Sequence, residues 1–398
     1  MRENLVIRAP IFSLSGYGAH SRDIVLGLWS TGKYNISVVP TQWGGTSSSD
    51  NFSVKGAEIL TSLVNNQIAQ TAEFTFIHIG LPGEFARYGK RSIGITAGVE
   101  TDRLPQGWAK SCNDAVDGII VPSLFVKDLL LRGGVTTPIY VVGEGVDTAV
   151  FNPEVKCELP LTFDAPFNFL VSGQWLAHTQ MNDRKGISHL ISWFCDAFRG
   201  ESNVGMVLKT HLTNVSSPDR FFARQRLETL KNKATLPKIH LIHGDMTDEE
   251  MAQLYKHPQI KALVSTTSGE SWGRPLAEAA ASDLPILVTG WSGHMDFLSK
   301  ELVTLFDFEV KPVTQDNWVQ GLIEPGSQWA YPVEEDVKRK MRRCVDGYSV
   351  AAERARALGK NFREKWSKQK TDEALVAAVE AILLPQSFDI PGTRPITI

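Results

Sequence analysis

The chain of 398 residues exceeds one ordinary hydrophobic core and fits two domains of ordinary size. Hydrophobic residues make up 42% and charged residues 21%, values that exclude wholesale disorder, and a formal charge of −3 excludes a global pull toward nucleic acid or anionic membrane. The four cysteines are scattered without CxxC or Cys/His metal spacing, and no apolar run reaches the roughly 18 residues of a membrane helix. The N-terminal apolar run is too short for a signal peptide. A reduced, cytoplasmic protein is expected, with peripheral membrane contact left open.

Leu5–Ile11 reads as a buried strand that runs into Ser13–Gly18 and then a helix over about His20–Thr31, ended by Gly32. Asn35–Pro40 is a second strand, and Thr41–Phe52, rich in Gly and Ser, a loop. Glu58–Gln70 reads as helical, followed by strands at Phe74–Ile79, Ser92–Ala97 and Gly118–Pro122. Ser123 is placed to N-cap a helix Leu124–Arg132, and Pro138–Val142 is a further strand. The three prolines of Phe151–Phe167 suggest an interdomain linker. The rhythm then restarts with strand Asn168–Ser172, helix Gly186–Arg199, strand Gly205–Thr210, helix Asp219–Lys233, strand Ile239–His243 and helix Asp248–Tyr255. Two doubly wound α/β domains are expected, 1–160 and 161–366. Helices Glu334–Trp366 and Thr371–Leu384 close the chain, and 367–398 is expected to return to the first domain.

The densest stretch is Ser265–Leu298, laid out as strand, loop, helix, strand, loop. Glu270 and Glu278 flank Gly273 and Pro275 in it. A loop entering a helix offers backbone N–H groups and a positive dipole end, here around Ser271–Arg274, suited to a diphosphate. Pro275 needs no N–H in the first turn. Glu278 would accept hydrogen bonds from a ribose diol, and Glu270 would bind sugar hydroxyls. The bland reading is a surface helix with two solvated glutamates.

The same stretch, SGESWGRPLAEAAASDLPILVTGWSGHMDFL, resembles the signature of family-4 retaining glycosyltransferases (group 1 glycosyl transferases), which have the GT-B fold. SLSGYGAHSR, VVGEGVDTAVF, FLVSGQW…DRKG, IHLIHGDMTDEEMAQLY and WAYP resemble other family elements in the same order. The resemblance implies two Rossmann-like domains facing a cleft, and a sugar moved from a nucleoside diphosphate to an acceptor hydroxyl with retention. It makes Lys185 the phosphate lysine. The family's arginine after the strand glycine is Gln174 here, and Arg184 is the nearest substitute cation. Ser271, Trp272, Gly273, Arg274, Pro275 and Leu276 join the donor site, with Gly16 and Gly18 facing the donor phosphates and the acceptor.

Acceptor residues are sought in the first domain. The loop Ile95–Trp108 carries Glu100, Asp102 and Arg103 where the family often has a histidine, so Glu100 or Asp102 is the candidate acceptor contact. A salt bridge to Arg103 is the bland alternative. His78 and Trp43 are further candidates, while His20 reads as structural. No D-x-D triplet occurs, so neither a metal nor a cofactor is expected. Lys338–Arg343 follows Glu334–Asp336 at helical i,i+4 spacing, which suits a solvated face, with an anionic lipid or nucleic-acid partner as the alternative. A glycan, lipid-linked or small-molecule acceptor is expected; a modified DNA base is the alternative. Rival classes are an NAD-dependent oxidoreductase, which lacks its G-x-G-x-x-G here, and a non-catalytic nucleotide or sugar binder.

Overall fold

The computed structural model describes residues 2–44, 54–69, 71–175, 183–213, 215–230 and 237–384. The Ser-rich part of the expected 41–52 loop, the ends of two expected helices (Gln70; 231–233) and the tail beyond 384 lie outside the described residues, and the first of those helices already ends at Asn65, short of the expected Gln70. Among these residues no helix is long and apolar enough to cross a membrane.

The first half alternates β1 (Glu3–Ala9), α1 (Gly16–Ser30), β2 (Tyr34–Pro40), α2 (Ala57–Asn65), β3 (Thr75–Ile79), β4 (Arg91–Ile95), α3 (Trp108–Ala115), β5 (Gly118–Val121), α4 (Leu124–Arg132) and β6 (Ile139–Val141). Its strands form a parallel sheet in the order β2-β1-β3-β4-β5-β6. β3 and β5 are buried along their whole length, as strands covered by helices on both faces must be.

The second half contains β7 (Phe167–Ser172), α5 (Ile187–Ala197), β8 (Val204–Lys209), α6 (Ser217–Leu230), β9 (Lys238–Ile242), α7 (Asp248–Tyr255), β10 (Ile260–Ser265), α8 (Arg274–Ala281), β11 (Ile286–Thr289) and β12 (Thr304–Phe306). The second parallel sheet runs β12-β11-β10-β7-β8-β9. Strand order reverses between β10 and β7, and in the first sheet between β1 and β3. Crevices outside the carboxyl ends at such reversals are where open α/β sheets bind ligands.

An antiparallel pair, β13 (Phe308–Pro312) and β14 (Gln328–Pro332), follows, and the WAYP element lies in its second strand. The expected helix Glu334–Trp366 is two helices, α9 (Glu334–Asp346) and α10 (Tyr348–Trp366), broken at Gly347. α11 (Lys368–Leu383) ends the described chain. α1 begins four residues earlier than expected because Ser15 caps it, its hydroxyl accepting from Gly18 N at 3.2 Å. α3, which begins where the expected 95–108 loop ends, escapes the sequence because it is short and follows a left-handed Gly107.

The stretch 151–167 is no loose linker: Phe151 and Phe163 are buried in the core under the second sheet. The chain crosses between halves at Val146 and again at Ser367, and the crossings lie side by side. Val146 N donates to Trp366 O at 3.1 Å, and Lys368 N to Val146 O at 2.8 Å. Beyond that crossing, α11 lays Leu375, Ala378, Val379 and Ile382 into the core of the first half. A methyl group on Gly118 would stand 2.5 Å from Ile382, so the contact depends on that glycine.

The basic run on α9 is neutralised. Lys338 pairs with Glu334 and Glu335, Lys340 with Asp336 and Asp307, and Arg342 with Glu201. Arg339 pairs with Asp336 rather than with Glu335 four residues back.

Candidate active site

The donor-side residues converge at the reversal of the second sheet. The loop after β10 carries Glu270 and enters α8 through Gly273, whose φ of +97° few other residues adopt. Pro275 sits in the first turn of that helix. The Glu270 backbone is clamped by the turn after β11: its N–H donates to Ser292 Oγ at 2.8 Å, and its carbonyl accepts from Gly293 N at 2.8 Å. Ser292 has a φ of +87° and ψ of −159°, a conformation that costs a non-glycine residue about 1–3 kcal/mol. A side chain on Gly293 would lie 1.9 Å from Ser271 O. The turn is built to hold Glu270 in place.

Opposite it stands Lys185, between β7 and α5. Asp183 fixes this segment by accepting from Ser188 N at 2.6 Å, and Gly186, with a φ of +66°, lets it press against Thr266. Lys185 Nζ reaches Glu270 Oε1 at 2.5 Å. Arg184 donates to Gly269 O at 2.9 Å and meets Glu100 Oε2 of the first half at 2.6 Å. Burial alone would raise the Glu270 carboxyl, but Lys185 and Arg184 outweigh it and hold the group below its ordinary value. Glu270 is therefore an anion at neutral pH. His294, fully buried, lends its Nε2 to Thr289 O at 2.8 Å, and burial keeps the ring neutral.

Glu278 lies further along α8 and accepts from Tyr255 Oη at 2.9 Å. Burial pushes its carboxyl up to about 7, with Arg274 opposing and Asp248 adding to the rise. The α8 residues expected at the donor site divide. Arg274 reaches across to the first half, to Asp23 at 3.0 Å and Glu144 at 3.3 Å. The side chains of Trp272 and Leu276 are core: Trp272 packs between Phe297 and Trp366, leaving only its backbone for a ligand. Apolar bulk beside a motif reads the same whether it faces in or out.

The first-half candidates fare differently. Asp102 accepts from Gln328 N at 2.6 Å, and Glu324 accepts from Gln106 N at 3.0 Å, so the loop after β4 is clasped to the β13–β14 arm. Asp102 thus ties the two halves through Oδ1, and Glu100 pairs with Arg184 rather than with Arg103. His78 is buried between Phe76 and Phe85 at the end of β3, and burial with Arg8 nearby lowers its pKa to about 4; it is a core histidine. His20 is also buried, 3.9 Å from Glu144. Gly18 serves packing, since a methyl there would lie 1.9 Å from Ser13 O, whereas Gly16 has no atom within 4 Å of that position.

Trp43 stacks on Tyr17 with ring centroids 3.8 Å apart and planes 23° from parallel. Tyr17, which the sequence did not single out, is held by Thr96 Oγ1 at 3.2 Å and Ala97 N at 3.0 Å. Tyr255, Ser292, His294, Asp23 and Glu144 were equally invisible as site residues; only the glycines around Ser292 signalled a special turn. Among the described residues no group of three or more His, Cys, Asp and Glu is placed to hold a metal ion.

No family model matches the sequence. No curated protein matches it either. Solved structures do match over nearly the whole chain. A glycosyltransferase from Rickettsia africae superposes with a TM-score of 0.63 at 14% identity, covering 96% of this chain and 99% of that one. Sucrose-phosphate synthase from Thermosynechococcus elongatus gives 0.65 at 12% identity over 96% and 99%. HepE from Anabaena, crystallised with UDP and glucose, gives 0.63 at 10% identity over 96% and 100%. At identities this low the likeness is one of fold: two Rossmann-like parallel sheets with their carboxyl ends toward each other, the GT-B architecture of these glycosyltransferases.

Proposed function

We propose that the protein transfers a sugar from a nucleoside diphosphate to an acceptor hydroxyl, with retention of configuration. The observation that carries the reading is the Lys185–Glu270 pair at the mouth of α8, with Glu278 further along the same helix. It places a cation, an anion and a helix N-terminus together where a diphosphate and its sugar would meet. Glu270, kept ionised, would accept hydrogen bonds from sugar hydroxyls, and Glu278 from the ribose diol. The neighbouring HepE structure, holding UDP and glucose on the same fold, supports a nucleotide-sugar donor.

In the step itself the bond from the anomeric carbon to the diphosphate oxygen breaks and a bond to the acceptor oxygen forms on the same face. The acceptor's proton passes to the departing phosphate oxygen. Charge grows on the leaving group as the bond breaks, and Lys185 with the α8 N-terminus is preorganised to receive it; one such contact is typically worth a few kcal/mol, about 10²–10³ in rate. Arg184, tied to Glu100 across the halves, would add a second positive charge. These groups supply the positive charge without a metal, so turnover is expected to survive EDTA. The acceptor is a glycan, a lipid-linked sugar or a small hydroxyl compound.

The test is a donor panel read by calorimetry, followed by mass spectrometry of products and determination of the product anomer. Glu270→Ala and Lys185→Ala should abolish most turnover while circular dichroism stays native. Near-normal activity in both variants would sink the assignment.

A further inference from the structure

The Tyr17–Trp43 pair has no part in the donor chemistry just described. It lies at the carboxyl end of the first sheet: Tyr17 in the first turn of α1, after β1, and Trp43 just beyond β2. Both rings are half-buried, so their stack is part of the surface rather than of the core. Two hydrogen bonds to the Tyr17 hydroxyl, from Ala97 N and with Thr96, fix the ring that supports Trp43. Beside the pair, the Cβ position of Gly16 is open, with no atom within 4 Å. Glu100 and Glu144 are near enough for their charges to act on Tyr17, and Glu100 bonds Arg184, whose guanidinium also holds Gly269, next to Glu270. The platform is therefore joined to the donor carboxylate through Glu100, Arg184 and Gly269.

We propose that the Tyr17–Trp43 stack is the acceptor subsite and that it takes a carbohydrate ring. The inference rests on the donor reading above. A pyranose presents C–H groups on its faces and hydroxyls at its edge; the faces suit a rigid indole and the edge suits a carboxylate such as Glu100. A nucleobase in DNA would stack as well, but its phosphates would meet the negative charge of Glu100 and Glu144, both close enough to act on the Tyr17 ring. Arg184 is held by Glu100 and Arg274 by Glu144, while Arg22 donates to the carbonyls of Ile11 and Ser13. The charge balance therefore selects a neutral sugar over a polyanion.

Saturation-transfer NMR with methyl hexosides, in the presence of UDP or GDP, tests the assignment on the full chain. Calorimetry of the nucleotide runs in parallel. Trp43→Ala should weaken hexoside binding at least tenfold, and Trp43→Phe should stay within about threefold of wild type because an aromatic face remains. Nucleotide affinity should be unchanged in both. The proposal is overturned if Trp43→Ala binds hexosides like wild type, if no hexoside binds the wild type, or if the alanine variant loses the nucleotide as well. Duplex DNA carrying 5-hydroxymethylcytosine displacing the hexosides, or serving as the acceptor in their place, would also overturn it. Hexosides bound through Trp43 with no nucleoside diphosphate bound would support the platform and remove the donor reading instead.

Discussion

The two halves share a parallel sheet of six strands, yet their candidate residues behave in opposite ways. In the second half, Lys185, Glu270 and Glu278 gather around one helix start. In the first half, Asp102 is a tie to the β13–β14 arm, His78 is core, and Glu100 and Trp43 are half-buried. The difference lies in what sets the geometry. On the donor side the distances are set within one sheet, between the loops after β7 and β10; on the other side Asp102 and Glu100 depend on contacts made between halves.

The largest effect that sharpens this contrast is loss of Lys185 or Glu270. Turnover should fall about 10²–10³-fold in either alanine variant, while Asp102→Ala should leave the chemistry within a few-fold of wild type. Steady-state kinetics on the three variants side by side would show it. Equal losses in all three would erase the distinction between halves.

Next in size is a pair of glycines separated by one residue. Gly18→Ala should destabilise strongly, because its methyl would overlap Ser13 O, whereas Gly16→Ala should melt close to wild type because that position opens onto space. Thermal melts separate the two. A ligand seated over Gly16 predicts a further result: Gly16→Ala weakens acceptor binding without changing the melt.

Glu278 gives a smaller, pH-dependent effect on the donor side. Its folded pKa, raised to about 7 from 4.5, means the folded chain holds this proton more tightly than the unfolded one. Its presence therefore costs stability as pH rises from 4.5 through 7. Glu278→Gln, which can still accept from Tyr255, should raise the melting temperature at pH 8, with the gain vanishing below pH 4.5. A ribose diol needs the ionised carboxylate, so nucleotide affinity in the wild type should weaken as pH falls through about 7, and that dependence should disappear in the glutamine variant. Calorimetry at pH 6 and pH 8 would decide it. The smallest effect is Asp102→Ala, whose lost bond to Gln328 N should cost about 1 kcal/mol in a urea titration.

The same contrast explains what could be read from the chain. The alternation of strands and helices implied both sheets, because short buried strands and capped helices are local events; the Ser123 cap holds Val126 N at 3.3 Å as the spacing suggests. Glu270 and Glu278 were legible because one loop and one helix relate them. Tyr17 with Trp43, Glu100 with Arg184, and Arg274 with Asp23 and Glu144 were not, since each pair joins segments that no periodicity connects. The core packing of the Trp272 and Leu276 side chains was not legible, because a motif does not record which way its side chains point. The β13–β14 arm was missed beyond its last few residues, being partly exposed and without a turn signal close to both strands.

The return of α11 to the first half has a consequence for how the molecule is made. Leu375, Val379 and Ile382 complete a core whose other members belong to the first 150 residues. During synthesis that first sheet waits, with an uncovered apolar seam, until more than two hundred further residues have left the ribosome. At about 5–20 residues per second this is an interval of roughly ten seconds or more. The second half is completed by α10, whose Leu358 and Phe362 enter its core, just before α11 emerges. The N-terminal half is thus translated first and finished last, and a chaperone that binds nascent chains would find its longest-lived target there.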